Sequence, residues 1–120
     1  MESSDVVIAS LGSAEVRTFP NGRFELCQLG GHVIGRSRYQ PGWKWSRDVA
    51  PLAGTALCQE AHVGVVTAGQ AAVRMADGRE YVLHAGDAFA IPGGHDSWVL
   101  GDEPYESIHL AGAIGYATPG

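Results

Sequence analysis

The sequence predicts an all-β chain closed into a small antiparallel barrel or jelly roll, and three observations carry that expectation. Apolar side chains alternate with small or charged ones at a period of two through most of the chain, the pattern of strands with one buried face. Turn residues punctuate the alternation at short intervals: Asp77-Gly78 supplies the positive φ angles of a tight hairpin, Gly86-Asp87 turns the chain again, and Pro92-Gly93-Gly94 ends the next run. No stretch keeps an apolar period of 3.6 over a useful length. About ten short strands of this kind must close or fold over to protect their edges, which leaves a barrel with a mouth at one end.

Taken in order, residues 5–9 (Asp-Val-Val-Ile-Ala) and 14–19 (Ala-Glu-Val-Arg-Thr-Phe) read as short strands split by Leu11-Gly12-Ser13, and Pro20-Asn21-Gly22 is the next turn. At 23–29, Phe24, Leu26 and Gln28 share one face and Glu25, Cys27 and Leu29 the other, until Gly30-Gly31 breaks the strand. From His32 to Tyr39, Val33, Gly35, Ser37 and Tyr39 lie opposite Ile34, Arg36 and Arg38, and the pattern leaves open which face looks inward. Pro41 to Ser46 reads as an extended segment with Trp43 and Trp45 on one side, at least one of them core packing. Residues 47–57, with Pro51 and Gly54, read as the long irregular loop of the chain, a kind that often carries function. Val63, Val65 and Val66 form a β-branched run closed by Gly69; Val73 and Met75, then Tyr81 and Leu83, then Phe89 and Ile91 mark the next three strands. Val99-Leu100 leads to a turn at Gly101 to Pro104, and a last strand runs from Tyr105 to Ala111, with Ile108 and Leu110 opposite Ser107 and His109. Residues 112–120 read as a loose tail, or a strand that pairs only in an oligomer. With no repeat, low-complexity tract or boundary, residues 1–120 read as one domain, its N-terminal strands at 5–39 and its core at 41–111.

A chain of 120 residues buries roughly two thirds of the surface its unfolded form exposes, so it needs neither metal nor disulfide for stability, and any metal is functional. The 45% apolar and 18% charged content is that of an ordinary globular protein, and 17 glycines fit many turns. A net charge of -5 argues against nucleic acid or an anionic membrane as partner, since either needs a basic face. Cys27 and Cys58 lack the dense spacing of a disulfide scaffold; Met1 to Asp5 lacks the start of a signal peptide, and no run is long enough to span a bilayer. The expectation is a soluble cytoplasmic chain. Val6-Val7-Ile8 in an unpaired edge strand predicts a homodimer that covers it.

Ligand sites in small β-barrels lie in the mouth, and His62 and His95 each stand beside a signature turn, at the two ends of the stretch from Cys58 to Trp98. Gly86-Asp87, five residues between Gly86 and Pro92, and then Gly94 resemble the second motif of the cupin superfamily, and Gly69 looks like the glycine that ends the first. The likeness covers residues 41–111; more narrowly, PGWKWS, HVGVVTAG and IPGGHDSWVLGDEP look like a group of small single-domain bacterial cupins. It implies a double-stranded β-helix. Cupins usually hold a divalent metal with two histidines and a glutamate from the first motif and a histidine from the second. Counting from Gly69, those positions fall here on Ala56, Cys58 and His62, and counting from Gly94 the last falls on Ser97, so the usual ligands are absent. The substituted set is His62, Cys58 and His95, the last displaced by two residues.

Imidazole and thiolate suit zinc, copper, nickel or ferrous iron, and three such ligands plus water make an open site. The alternative is a metal-free pocket in which His62 and His95 bind substrate or move protons, with Cys58 a small apolar core residue. Among the other histidines His32 and His84 flank turns and only His109 sits mid-strand. Trp43, Trp45, Tyr81 and Trp98 are the expected walls around a planar or carbonyl-bearing substrate, Trp98 on the pocket and Val99 facing away. The resemblance implies isomerase, cyclase or lyase chemistry on a small molecule; oxygenation most needs the missing ligands, and a non-catalytic binding or sensor barrel is the alternative.

Overall fold

The computed structural model describes residues 5–120. Among them are nine strands and two one-turn helices: β1 Glu15–Phe19, β2 Gly22–Leu29, β3 His32–Tyr39, α1 Trp45–Asp48, α2 Ala50–Ala53, β4 His62–Ala68, β5 Gln70–Met75, β6 Glu80–His84, β7 Ala88–Ile91, β8 His95–Leu100 and β9 Tyr105–Ala111. Every pairing is antiparallel. The strands form a six-stranded sheet in the order β1-β2-β3-β9-β4-β7 and a three-stranded sheet in the order β6-β5-β8. Their inner faces share one core, in which Phe24, Leu26, Val66 and Tyr105 of the large sheet meet Ala71 and Val99 of the small one.

The two long sides of this sandwich differ. On one, backbone bridges from Lys44 to Trp98 and from Cys58 to His95 stitch the segment before β4 onto β8. On the other, β6 and β7 are edge strands of different sheets and share no ladder, so a seam runs between them.

Inward faces follow the period of two, but polar residues occupy several of them. In β3 the buried side is Gly35, Ser37 and Tyr39, and in β9 it is Tyr105, Ser107 and His109, while Leu110 is exposed. Burial of these hydroxyls is tolerated because they satisfy one another: the Ser37 and Ser107 hydroxyls are hydrogen-bonded, and the Ser107 N–H donates to Ser37 Oγ at 3.1 Å. Glu25, on the other face of β2, is buried but clamped by Arg23 and Arg36 at 3.0 and 2.8 Å.

Four expectations change. Residues 5–9 lie outside any strand, and Val6 and Ile8 are 86% and 89% exposed. The extended segment at 41–46 gives way to α1 at Trp45: the Asp96 carboxylate on β8 accepts from the Ser46 N–H at 3.0 Å and its hydroxyl at 2.8 Å, supplying a partner for a free N–H of the helix start. The loop at 47–57 holds the second half of α1 and all of α2, the latter entered through Pro51 and closed by left-handed Gly54. The C-terminal segment is not loose, since Ala113, Tyr116 and Ala117 are buried. Tyr39 donates its hydroxyl proton to Tyr116 Oη at 2.6 Å, and Arg17 Nη1 donates to the carbonyls of Ala113 and Tyr116 at 3.1 and 2.6 Å. No helix of the described residues is long and apolar enough to cross a membrane.

Candidate metal centre

His62 opens β4 with its side chain inward, in register with Ile91 of β7. His95 opens β8, and the glycines before it set its position. A side chain at Gly93 would run into the Gln59 carbonyl, and Gly94 sits at φ +90°. This close approach lets the strand-like bridge form: Cys58 N–H donates to the His95 carbonyl at 2.8 Å and Gly94 N–H to the Cys58 carbonyl at 2.7 Å. The bridge brings residues 37 apart in sequence together. One donor atom from each of Cys58, His62 and His95 lies within 4.8 Å of the others, and all three side chains are buried.

His95 Nδ1 lies 2.8 Å from the Pro92 carbonyl, which can only accept, so Nδ1 carries the hydrogen and Nε2 keeps its lone pair. An imidazole oriented by a backbone carbonyl is the usual support of a metal-binding histidine. Cys58 Sγ lies 3.5 Å from His62 Nε2. Burial pushes the thiol up to about 11, and burial reinforced by His109 and His95 drives His62 down to about 3. Burial also lowers His95, against the opposing effects of Pro92 and Asp96. At neutral pH the cluster is therefore a thiol and two neutral imidazoles.

Two further residues belong to the same site: His109, expected to be the weaker histidine, and Tyr116, from the segment expected to be a loose tail. The His109 ring stands edge-on to His62 at 5.1 Å, its Nε2 is 3.1 Å from Ser107 Oγ, and burial holds it neutral with a pKa of about 4. The Tyr116 ring also stands edge-on to His62, at 5.1 Å. The inward alternation Tyr105, Ser107, His109 held the signal for the first; nothing local announces the second. Among the described residues, the Nδ1 atoms of His62 and His109 are buried without a hydrogen-bond partner. These residues, with Trp43, Ser97 and Ser107, line a cavity of about 40 Å³. Ser97, at the position of the absent cupin histidine, thus does face the site.

The expected aromatic walls scatter. Trp43 lines the cavity, stacked on Tyr39 at 3.8 Å. Trp45 is buried in the core outside the lining. Trp98 faces away, because His95 and Ser97 take the inward positions of β8; its ring lies under Lys44 Nζ at 5.3 Å, and Val99 joins the core instead. Tyr81, half exposed, lines an outer cleft on the seam.

No family model matches the chain, and no curated protein does. Solved structures do match. The chain superposes over 88% of its length on a cupin 2 conserved barrel domain protein from Salinispora arenicola, covering 87% of that chain at a TM-score of 0.61 and 19% identity. It matches a protein of unknown function from Acidithiobacillus ferrooxidans over 88% of its own length and 92% of that chain, with a TM-score of 0.61 and 21% identity. A third, of unknown function from Rhizobium leguminosarum, matches over 91% of this chain and 95% of its own, with a TM-score of 0.59 and 21% identity. Likeness at these identities speaks to architecture and not to activity: the chain has the cupin barrel fold.

Proposed function

We propose that the chain is a metal-dependent enzyme acting on a small organic molecule, its ion held by Cys58, His62 and His95. The observation that carries this reading is the buried convergence of one sulfur and two imidazoles within 4.8 Å, with the second nitrogen of His95 already committed to a backbone carbonyl. A thiolate and two neutral imidazoles suit zinc, and after it ferrous iron, nickel or copper. Bound there, such an ion would supply Lewis acidity at an open position. The chain's own contributions are to orient His95 through Pro92, to hold His109 against Ser107, and to pack the buried Tyr116 ring against His62. An imidazole driven to about 3 is a poor proton shuttle at neutral pH, which favours ligand over acid–base roles for His62. Isomerase, cyclase or lyase chemistry fits this set better than oxygenation, which most needs the absent histidines and glutamate.

A second reading, a barrel that binds a ligand without metal or turnover, is favoured by the Cys58 thiol, which burial raises to about 11 and so keeps protonated. Metal analysis by mass spectrometry on tag-free protein should give about one equivalent of a transition metal per chain. Cys58→Ser, His62→Ala and His95→Ala should each weaken retention against a chelator by at least about tenfold. Background metal in the parent chain, loaded or unloaded, would leave the non-catalytic reading.

A further inference from the structure

The inner cavity, about 40 Å³, has room for little beyond water, so the body of any organic substrate must lie elsewhere. A cleft of about 450 Å³ opens on the seam between β6 and β7, within the roughly 300–1,000 Å³ of small-molecule sites. Val73, Leu83, Phe89 and Ile91 line both spaces and form the wall between them. The outer cleft adds Met75 and Tyr81 and carries no charged side chain. Pro92 also lines it, and its carbonyl is the group that orients His95, so the cleft and the candidate metal ligand share a support. An uncharged apolar surface of this kind, one layer of side chains away from a buried donor cluster, selects for apolar bodies. Because β6 and β7 share no ladder, access there breaks no backbone hydrogen bond between them.

We propose that the β6–β7 cleft seats the body of the substrate, which is therefore an uncharged, apolar molecule bearing one metal-ligating head directed between Leu83, Phe89 and Ile91 toward His62 and His95. This rests on the metal reading above for the head, but not for the body.

The test uses straight-chain hydroxamates from acetohydroxamate to octanohydroxamate, titrated into zinc-loaded and metal-free isotope-labelled protein and followed by amide chemical shifts. Metal content, read separately by mass spectrometry, reports on the ion. The zinc-loaded protein should bind about threefold to fourfold more tightly per added methylene, with shifts at Val73, Leu83, Phe89 and Ile91. That increment should collapse in Tyr81→Asp and in Ala90→Glu, both at exposed positions that line the cleft, with the amide spectrum of each variant showing that its fold is kept. If no metal binds, the metal reading fails alone, and shifts of the same amides that grow with chain length in the metal-free protein still uphold the cleft. Affinity independent of chain length in both forms would overturn the inference. So would equal binding of a chain ending in a carboxylate, or shifts at these amides that follow protein dilution instead, which would mean that a second copy covers the cleft.

Discussion

His62 and His109 stand with rings 5.1 Å apart and almost no access to water, which sets an acid limit on this fold. Both start from an ordinary value of 6.5 and are driven to about 3 and about 4, burial being the larger cause in each. The folded chain therefore holds fewer protons than the unfolded chain below 6.5, so stability is full above that pH and falls as pH drops toward the folded values. The loss should be on the order of one kcal/mol per unit per histidine, several kcal/mol once both are charged. Urea unfolding of chelator-treated protein should show its midpoint falling between pH 6.5 and 4, with a shallower slope in His109→Leu; an unchanged midpoint over that range contradicts neutral burial. At this scale legibility depended on punctuation. His95 could be read because a glycine turn precedes it, and His62 and Cys58 because they fall at fixed counts from Gly69. His109 could not be ranked, since a period of two defines two faces without saying which is inside. Trp98 was misplaced for that reason, by one residue of register.

Arg17 is the device that converts the C-terminal segment into part of the barrel. Its guanidinium, held by Glu15 at 2.6 Å, reaches two carbonyls nearly a hundred residues away. Replacing it with methionine keeps most of the stem packing and leaves those carbonyls without their donor, so Arg17→Met should cost about 1–3 kcal/mol. Amide exchange in residues 113–117 should speed up more than elsewhere, and uniform protection across the chain would show that the segment holds without the latch. Such a contact has no local signature: Gly112 to Gly120 has no period to read, and its order comes from Arg17, Tyr39 and Tyr116 meeting in space. Strands were legible where alternation was flanked by turn residues, as from β4 to β7. The helical turns were not, because four residues are too few for a period and α1 depends on Asp96, fifty residues away from Ser46.

At the level of the whole molecule, two exposed apolar patches stand besides the cleft that Tyr81 lines on the seam. One is the arm carrying Val6, Val7 and Ile8; the other is formed by Val63, Val65 and Leu110 on the outer face of the large sheet. An arm of this kind and a face of this kind in one chain suit each other across two copies. Light scattering at tens of micromolar should give a dimer mass, reduced to a monomer by Val6→Asp with Ile8→Asp; a monomer mass for the parent chain refutes this. The barrel itself was readable from the sequence because closure is the common remedy for many short strands, whereas the unpaired seam between β6 and β7 follows from how the sheets divide, which no single strand records. The buried sulfur of Cys58 gives this architecture a built-in clock. A thiol that is 2% exposed and raised to about 11 does not meet an alkylating reagent until the walls part. Its labelling rate, set against that of a free thiol, therefore counts how often the barrel breathes, and anything that settles in the site slows the count.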